Sequence, residues 1–333
     1  MSFTTTLLQW FKENGRDLPW RQTRDPYAVW LSEIILQQTR TEQGRPYWER
    51  FMRRWPTVEQ LAAATEDEVL REWQGLGYYT RARNLHTAAR QVVARGGFPA
   101  TIEGLRSLKG VGDYTAAAIG SIAFDLPAAV VDGNVYRVLA RHYGIKTPIN
   151  TTEGKKEFTA LAQSLLPPDA ASAYNQAIMD FGAIHCTPVN PHCDSCPLMD
   201  TCAAFRTGAI DTLPVKLKKL EVKERHLTYI YIRCKSQTAL HRRPPGDIWQ
   251  GLYEPLCLEE SKVLSPEARL LKKDVRHVLT HRVLLADFWL WETDERPQLP
   301  EGYFWVDEGD IDSYAVPRLV EKLLGELSPC RQP

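Results

Sequence analysis

Four cysteines crowd into seventeen residues near the middle of the chain: Cys186, Cys193, Cys196 and Cys202, spaced CxxxxxxCxxCxxxxxC. Pro188, Pro191 and Pro197 break the segment into a loop, so four thiolates can wrap one metal centre. Four-Cys ligation suits zinc or a 4Fe-4S cluster, and ligand softness does not separate them. Two carboxylates stand out beside them. Glu33 lies in Trp30-Leu31-Ser32-Glu33-Ile34-Ile35-Leu36, where apolar neighbours would raise its pKa and let it hold a proton near neutral pH. Asp132, in Val130-Val131-Asp132-Gly133-Asn134-Val135, follows an apolar run at an expected helix start, where the dipole and free N–H groups favour the ionised form. An acid and a carboxylate anion in one place form a bond-cleaving pair; read alone, Asp132 is an ordinary helix cap. In Leu108-Lys109-Gly110-Val111-Gly112-Asp113-Tyr114, Gly110 and Gly112 would let the backbone approach a phosphate at a helix N-terminus, although a plain helix connection reads the same way.

The elements that must position these groups are mostly helices. From Pro26 to about Arg206 the apolar periodicity is helical with short Gly or Pro breaks, and Asp25-Pro26 is a helix start. Gly96, Gly97 and Pro99 end another helix. The polar, Lys-rich stretch Pro214 to Arg225 reads as a linker, and Leu227 to Cys234 and Val283 to Trp291 read as strands. A last amphipathic helix is expected from about Pro317 to Leu327. The expected organisation is a helical domain over 1–206, a linker over 207–225 and an α+β domain over 226–333; 333 residues exceed what one core usually supports.

Composition is that of a folded protein, with 44% hydrophobic and 25% charged residues and no apolar run near the roughly 20 residues of a membrane span. No secretory signal is visible at Met1 to Trp10, so a cytosolic compartment is expected, and thiols there favour metal ligation over disulfides. Net charge is zero, which argues mildly against a polyanion partner. Yet Trp73 to Ile102 carries Arg81, Arg83, Arg90 and Arg95 without one acid, either a phosphate-facing surface or a solvated helix face.

In order along the chain, Arg16-Asp17-Leu18-Pro19-Trp20, Leu31-Ser32-Glu33 with Gln37-Gln38-Thr39, Gln74-Gly75-Leu76-Gly77-Tyr78-Tyr79, the Gly110–Gly112 hairpin, Val131-Asp132-Gly133-Asn134, Asn175-Gln176-Ala177 and the four cysteines resemble the helix-hairpin-helix DNA glycosylases of the MutY-type, A/G-specific adenine class. The resemblance implies a two-lobed helical domain on duplex DNA, a 4Fe-4S cluster rather than zinc, and adenine flipped out of 8-oxoguanine:A or G:A mispairs. It implies Glu33 as the acid at adenine N7 and Asp132 as the stabiliser of the sugar cation. Tyr114 and Asn134 would orient them, and Arg16, Leu18, Trp20 and Gln176 would line the adenine pocket. Gln38, Thr39, Leu76 and Tyr78 match residues that wedge into the stack and contact the opposing base.

Arg242-Arg243-Pro244-Pro245-Gly246 and Trp249-Gln250-Gly251-Leu252-Tyr253 are similar to the family's C-terminal Nudix-like domain. No Arg-Glu-x-x-Glu-Glu metal helix is present, so a lesion reader through Thr280 and His281 is implied, not a second catalyst. Lys109 replaces the family's hairpin proline, and Leu279-Thr280-His281 replaces Phe-Ser-His. An endonuclease III-like lyase would carry lysine where Tyr114 stands, and a thymine mismatch glycosylase would lack the C-terminal domain. An iron-sulfur electron carrier or a pure DNA binder would not need Glu33 and Asp132. A monomer free of membranes, cytoplasmic and nucleoid-associated as in bacteria, is the remaining expectation.

Overall fold

The computed structural model describes residues 2–217, 223–258, 267–279 and 282–327. They divide into two compact units, residues 1–62 with 87–218 and residues 63–86 with 219–333.

The first unit is helical: α1 (Phe3–Asn14), α2 (Pro26–Leu36), α3 (Thr41–Arg54) and α4 (Val58–Ala63) precede the segment 63–86, which carries α5 (Glu66–Trp73) and the start of α6 (Thr80–Ala94). After α6 come α7 (Ile102–Arg106), α8 (Asp113–Phe124), α9 (Gly133–Tyr143), α10 (Thr152–Leu165), α11 (Ala171–Asp180) and α12 (Ala203–Thr207). Asp25 caps α2 at the Tyr27 N–H, with Pro26 in the first turn where its missing donor costs nothing. Around the centre Leu7, Val29, Ala118, Leu139, Phe158, Tyr174 and Phe181 bury one another. A fully buried side chain of this size contributes about 1.5–3 kcal/mol. α8 is buried from Thr115 to Ile122, so it is the axial helix and its first turn is fixed in place.

Residues 207–217, expected within a linker, are instead docked on this unit. Leu213 is buried in the core, Arg141 donates to the carbonyls of Ile210 (3.0 Å) and Leu213 (3.2 Å), and the Ile149 N–H reaches Val215 O at 3.0 Å. Polarity suggested a spacer because nothing in the segment reveals the buried guanidinium that needs its carbonyls.

The second unit is built on a seven-stranded sheet: β1 (Lys223–Cys234), β2 (Gln237–Arg242), β3 (Tyr253–Glu254), β4 (Leu256–Leu258), β5 (Arg269–Val278), β6 (Arg282–Thr293) and β7 (Tyr303–Asp307), closed by helix α13 (Arg318–Leu327). The sheet order is β3-β2-β1-β6-β5, with β4 on β1 and β7 on β2. β1 and β6 run parallel, with Tyr229 opposite Phe288. Alternation places Leu284, Ala286, Phe288 and Leu290 on one face, where Leu319, Val320 and Leu323 of α13 cover them. Residues 63–86 belong to this unit through ion pairs and a hydrogen bond that sequence does not announce: Arg242 meets Asp67 at 2.8 Å and Glu66 at 3.2 Å, and the Gln74 amide donates to Glu321 at 2.8 Å.

Within the arginine-rich stretch Arg81 and Arg83 are partly buried, whereas Arg90 and Arg95 stay exposed. Arg81 lies over the rings of Trp73 (5.3 Å) and Tyr78 (5.2 Å), and burial lowers its pKa to about 10. Arg83 bonds the Gln250 carbonyl, Arg90 the Ala62 carbonyl at 3.3 Å, and Arg95 the Ser107 hydroxyl at 2.7 Å. No helix among the described residues is long and apolar enough to cross a membrane.

Candidate active site and cysteine loop

α2, α8 and α9 each bring one functional group to a cavity of about 640 Å³ in the first unit. Glu33 projects from α2, whose other residues are almost all buried, so its carboxyl meets protein on every side except the cavity. The Tyr114 hydroxyl, from the first turn of α8, donates to Glu33 Oε2 at 2.8 Å and also approaches Met179 Sδ at 3.6 Å. Burial raises the Glu33 pKa to about 7, with a smaller push from Asp132; the Tyr114 bond and Arg21 pull it down. Burial, then Glu33 and Asp132, push Tyr114 well above the ordinary phenol range, so it stays a donor.

Asp132 is the N-cap of α9. Its Oδ1 accepts from the Asn134 N–H at 2.9 Å and the Val135 N–H at 2.8 Å, and its Oδ2 accepts from Asn134 Nδ2 at 2.8 Å. Asn134 is oriented in turn by Arg137, which donates to Asn134 Oδ1 at 2.8 Å. The helix cap seen in the sequence is present, and burial works against it. Burial pushes Asp132 above its ordinary value, against the downward pull of these N–H donors and Arg137. Apolar packing from other elements supplies the burial, and local sequence does not report it.

Arg16, Leu18, Trp20, Thr39, Gln176, Tyr114 and Asn134 line the same cavity. Trp20 is nearly buried and braced edge-on by Trp48 at 5.7 Å, whereas Gln176 is tied to Ser172 at 3.1 Å. Gln38 follows α2 in the left-handed region, at φ 61°, and is not part of the cavity lining. Arg21, Arg137, Met179 and the buried Asp180 were missed in the sequence. Asp180 had a usable signal: like Glu33, it is a lone carboxylate in an apolar run, Ile178-Met179-Asp180-Phe181.

Gly110 takes φ 79°, a left-handed turn that other residues resist, and Gly112 is the extended N-cap of α8. No side-chain hydrogen bond caps that end of α8. Leu76 and Tyr78 belong to the second unit. There they line a separate cavity of about 590 Å³ with Trp249, Leu279 and Arg282, and Tyr78 is half exposed at φ 48°. Thr280 and His281 lie outside the described residues.

Cys186, Cys193, Cys196 and Cys202 are free thiols, all partly buried. Burial and the neighbouring thiols raise Cys193 and push Cys196 to about 11. Four free thiols on one loop can serve a cation as thiolate ligands, so the donor set fits a thiolate-bound group. Arg141 braces the loop, donating to Thr187 O at 2.7 Å and Pro188 O at 3.2 Å and approaching Cys186 Sγ at 3.5 Å. Among the described residues no three His, Cys, Asp or Glu side chains converge as ligands of a single metal ion.

Family models match this layout: the HhH-GPD superfamily of base excision DNA repair proteins over residues 31–168, the iron-sulfur binding domain of endonuclease III over 186–202, and a NUDIX domain over 228–326. The loop is thus an iron-sulfur site, and the second unit is Nudix-like. An adenine DNA glycosylase of Buchnera aphidicola (strain Bp) is 35% identical over 302 residues, covering 86% of each chain. The Mus musculus adenine DNA glycosylase is 43% identical, covering 64% of this chain and 44% of its own length. Among solved structures, a thermostable thymine-DNA glycosylase superposes with TM-score 0.58 at 32% identity, covering 62% of this chain and 95% of that one. A complex of endonuclease III with DNA, at TM-score 0.53 and 24% identity over 62% and 94% of the two chains, shares the fold. With a relative matched along most of both chains and all three modules in order, this chain belongs to the adenine DNA glycosylase family, enzymes of base excision repair.

Proposed function

We propose that the chain is a monofunctional glycosylase, removing adenine opposite 8-oxoguanine or guanine in duplex DNA. The observation that carries this reading is one cavity holding a protonatable Glu33 under a Tyr114 hydroxyl and an N–H-bound Asp132. Flipped into the cavity, adenine takes the Glu33 proton at N7. The C1′–N9 bond then breaks, its electron pair leaving with a neutral base. Asp132 stabilises the sugar cation, directly or as a covalent ester, until water adds at C1′ and its proton returns to a carboxylate. Asn134 and Tyr114 hold the two carboxylates, while Arg16, Leu18, Trp20 and Gln176 bind the base.

Gly110 and Gly112 receive a phosphate on the N-terminus of α8. Gln38, Thr39, Leu76 and Tyr78 fill the gap left by the flipped base, and Thr280 and His281 read the opposing lesion. The cysteines hold a 4Fe-4S cluster that stiffens a DNA-contacting loop, and the enzyme acts as a monomer. Because Tyr114 offers no amine for a Schiff base, strand cleavage is expected to need alkali. The test is incubation with duplexes containing 8-oxoguanine:A, G:A, G:T or an oxidised pyrimidine, with and without alkali. Excision confined to adenine, with breaks only after alkali, supports the reading; cleavage without alkali or preference for another base refutes it.

A further inference from the structure

Asp180 closes α11 with a side chain fully buried and not itself part of the cavity lining. Both oxygens are taken by two arginines that do line it. Arg16 donates through its backbone N–H (2.9 Å), Nε (2.9 Å) and one terminal nitrogen (2.6 Å), and Arg21 donates a fork of two bonds at 2.7 Å each. Arg21 also bonds Arg16 O at 3.0 Å, and Arg16 bonds the Thr41 hydroxyl at 3.0 Å. Buried charges are tolerated only when so paired. Two cations facing a binding cavity with one anion behind them leave one net positive charge on that wall.

We propose that Asp180 is a positioning residue of this reaction: by clamping Arg16 and Arg21 and cancelling half their charge, it keeps Glu33 protonated at neutral pH. The inference rests on Glu33 acting as the acid. Arg21 is the cation whose field reaches Glu33, opposing burial. The other charged or titratable groups around Glu33 are Tyr114 from α8, Asp132 and Arg137 from α9, and Arg16, Arg40 and Glu42 along the rest of the cavity wall. Tyr114 is bonded to Glu33 and Asp132 to Asn134 and Val135, so their influence on Glu33 persists when Asp180 is changed. Asp180 is held below its ordinary value: burial raises it, but the bonds from Arg21 and Arg16 outweigh burial. It therefore remains an anion wherever Glu33 titrates.

The experiment is a pH profile of single-turnover adenine excision by the full chain with its cluster, for wild type, Asp180→Asn, Arg21→Gln and the double variant. Asp180→Asn exposes Glu33 to a fuller positive field, so the alkaline limb moves to lower pH and the loss at pH 8 exceeds that at pH 6 by about fivefold. Arg21→Gln moves the limb to higher pH, and this variant keeps the claim testable if Asp180→Asn does not fold. The double variant removes one charge of each sign and returns the limb toward wild type. A merely structural Asp180 would lower rates equally at every pH, and an unmoved limb in the single variants overturns the proposal. A wild type with no alkaline limb would instead remove Glu33 as the acid, and the inference with it.

Discussion

Glu33 shows how far one residue can be read without its surroundings. Its apolar neighbours along α2 predict a raised pKa, and the structure adds the Tyr114 donor and the opposing Arg21. Asp132 was legible as a cap and as a charge-stabilising partner of Glu33, but its burial was not, and neither Arg21 nor Asp180 stood out as a site residue. The raised Glu33 pKa carries a stability cost with a definite sign. Its folded value, about 7, lies above the ordinary glutamate value of 4.5, so a charged Glu33 destabilises the fold as pH rises through that interval. Glu33→Gln should therefore stabilise the protein at pH 8 by up to about 3 kcal/mol and have little effect near pH 4. Thermal melts of both proteins at the two pH values check this; equal differences at both would contradict the buried acid.

At the scale of elements, the turn into α8 separates two glycines that look alike in sequence. Gly110 has a left-handed φ of 79°, whereas Gly112 has an ordinary φ of −92° and open space where a Cβ would stand. Gly110→Ala should cost about 1–2 kcal/mol of stability. Gly112→Ala should leave the melting temperature unchanged yet weaken duplex binding, since a methyl group would stand where the phosphate approaches. Wild-type affinity of Gly112→Ala at matched salt would remove the phosphate role. Helix starts at Asp25-Pro26 and Asp132-Gly133 were legible because capping is local. The docking of 207–217 was not, since it depends on Arg141 far upstream in the chain.

Across the whole molecule, strand periodicity revealed the sheet but not the membership of residues 63–86 in its unit, which rests on long-range pairs such as Arg242 with Asp67. Leu279 N–H bonds Arg282 O at 2.8 Å on either side of Thr280 and His281. An 8-oxoguanine differs from guanine by one oxygen and one N7 hydrogen, so each hydrogen bond lost in reading it costs about 1 kcal/mol, or about fivefold. Thr280→Ala with His281→Ala should narrow the rate preference for 8-oxoguanine:A over G:A by that order and leave G:A excision nearly unchanged. An unaltered ratio would place lesion reading elsewhere.

If Glu33 and Asp132 break the bond together, single-turnover adenine excision from an 8-oxoguanine:A duplex, with duplex affinity measured alongside, reports it. Glu33→Gln and Asp132→Asn should each bind the duplex as wild type does while excising adenine more than ~100-fold slower, the scale of one lost acid or base. A rate near wild type for either variant would contradict the account.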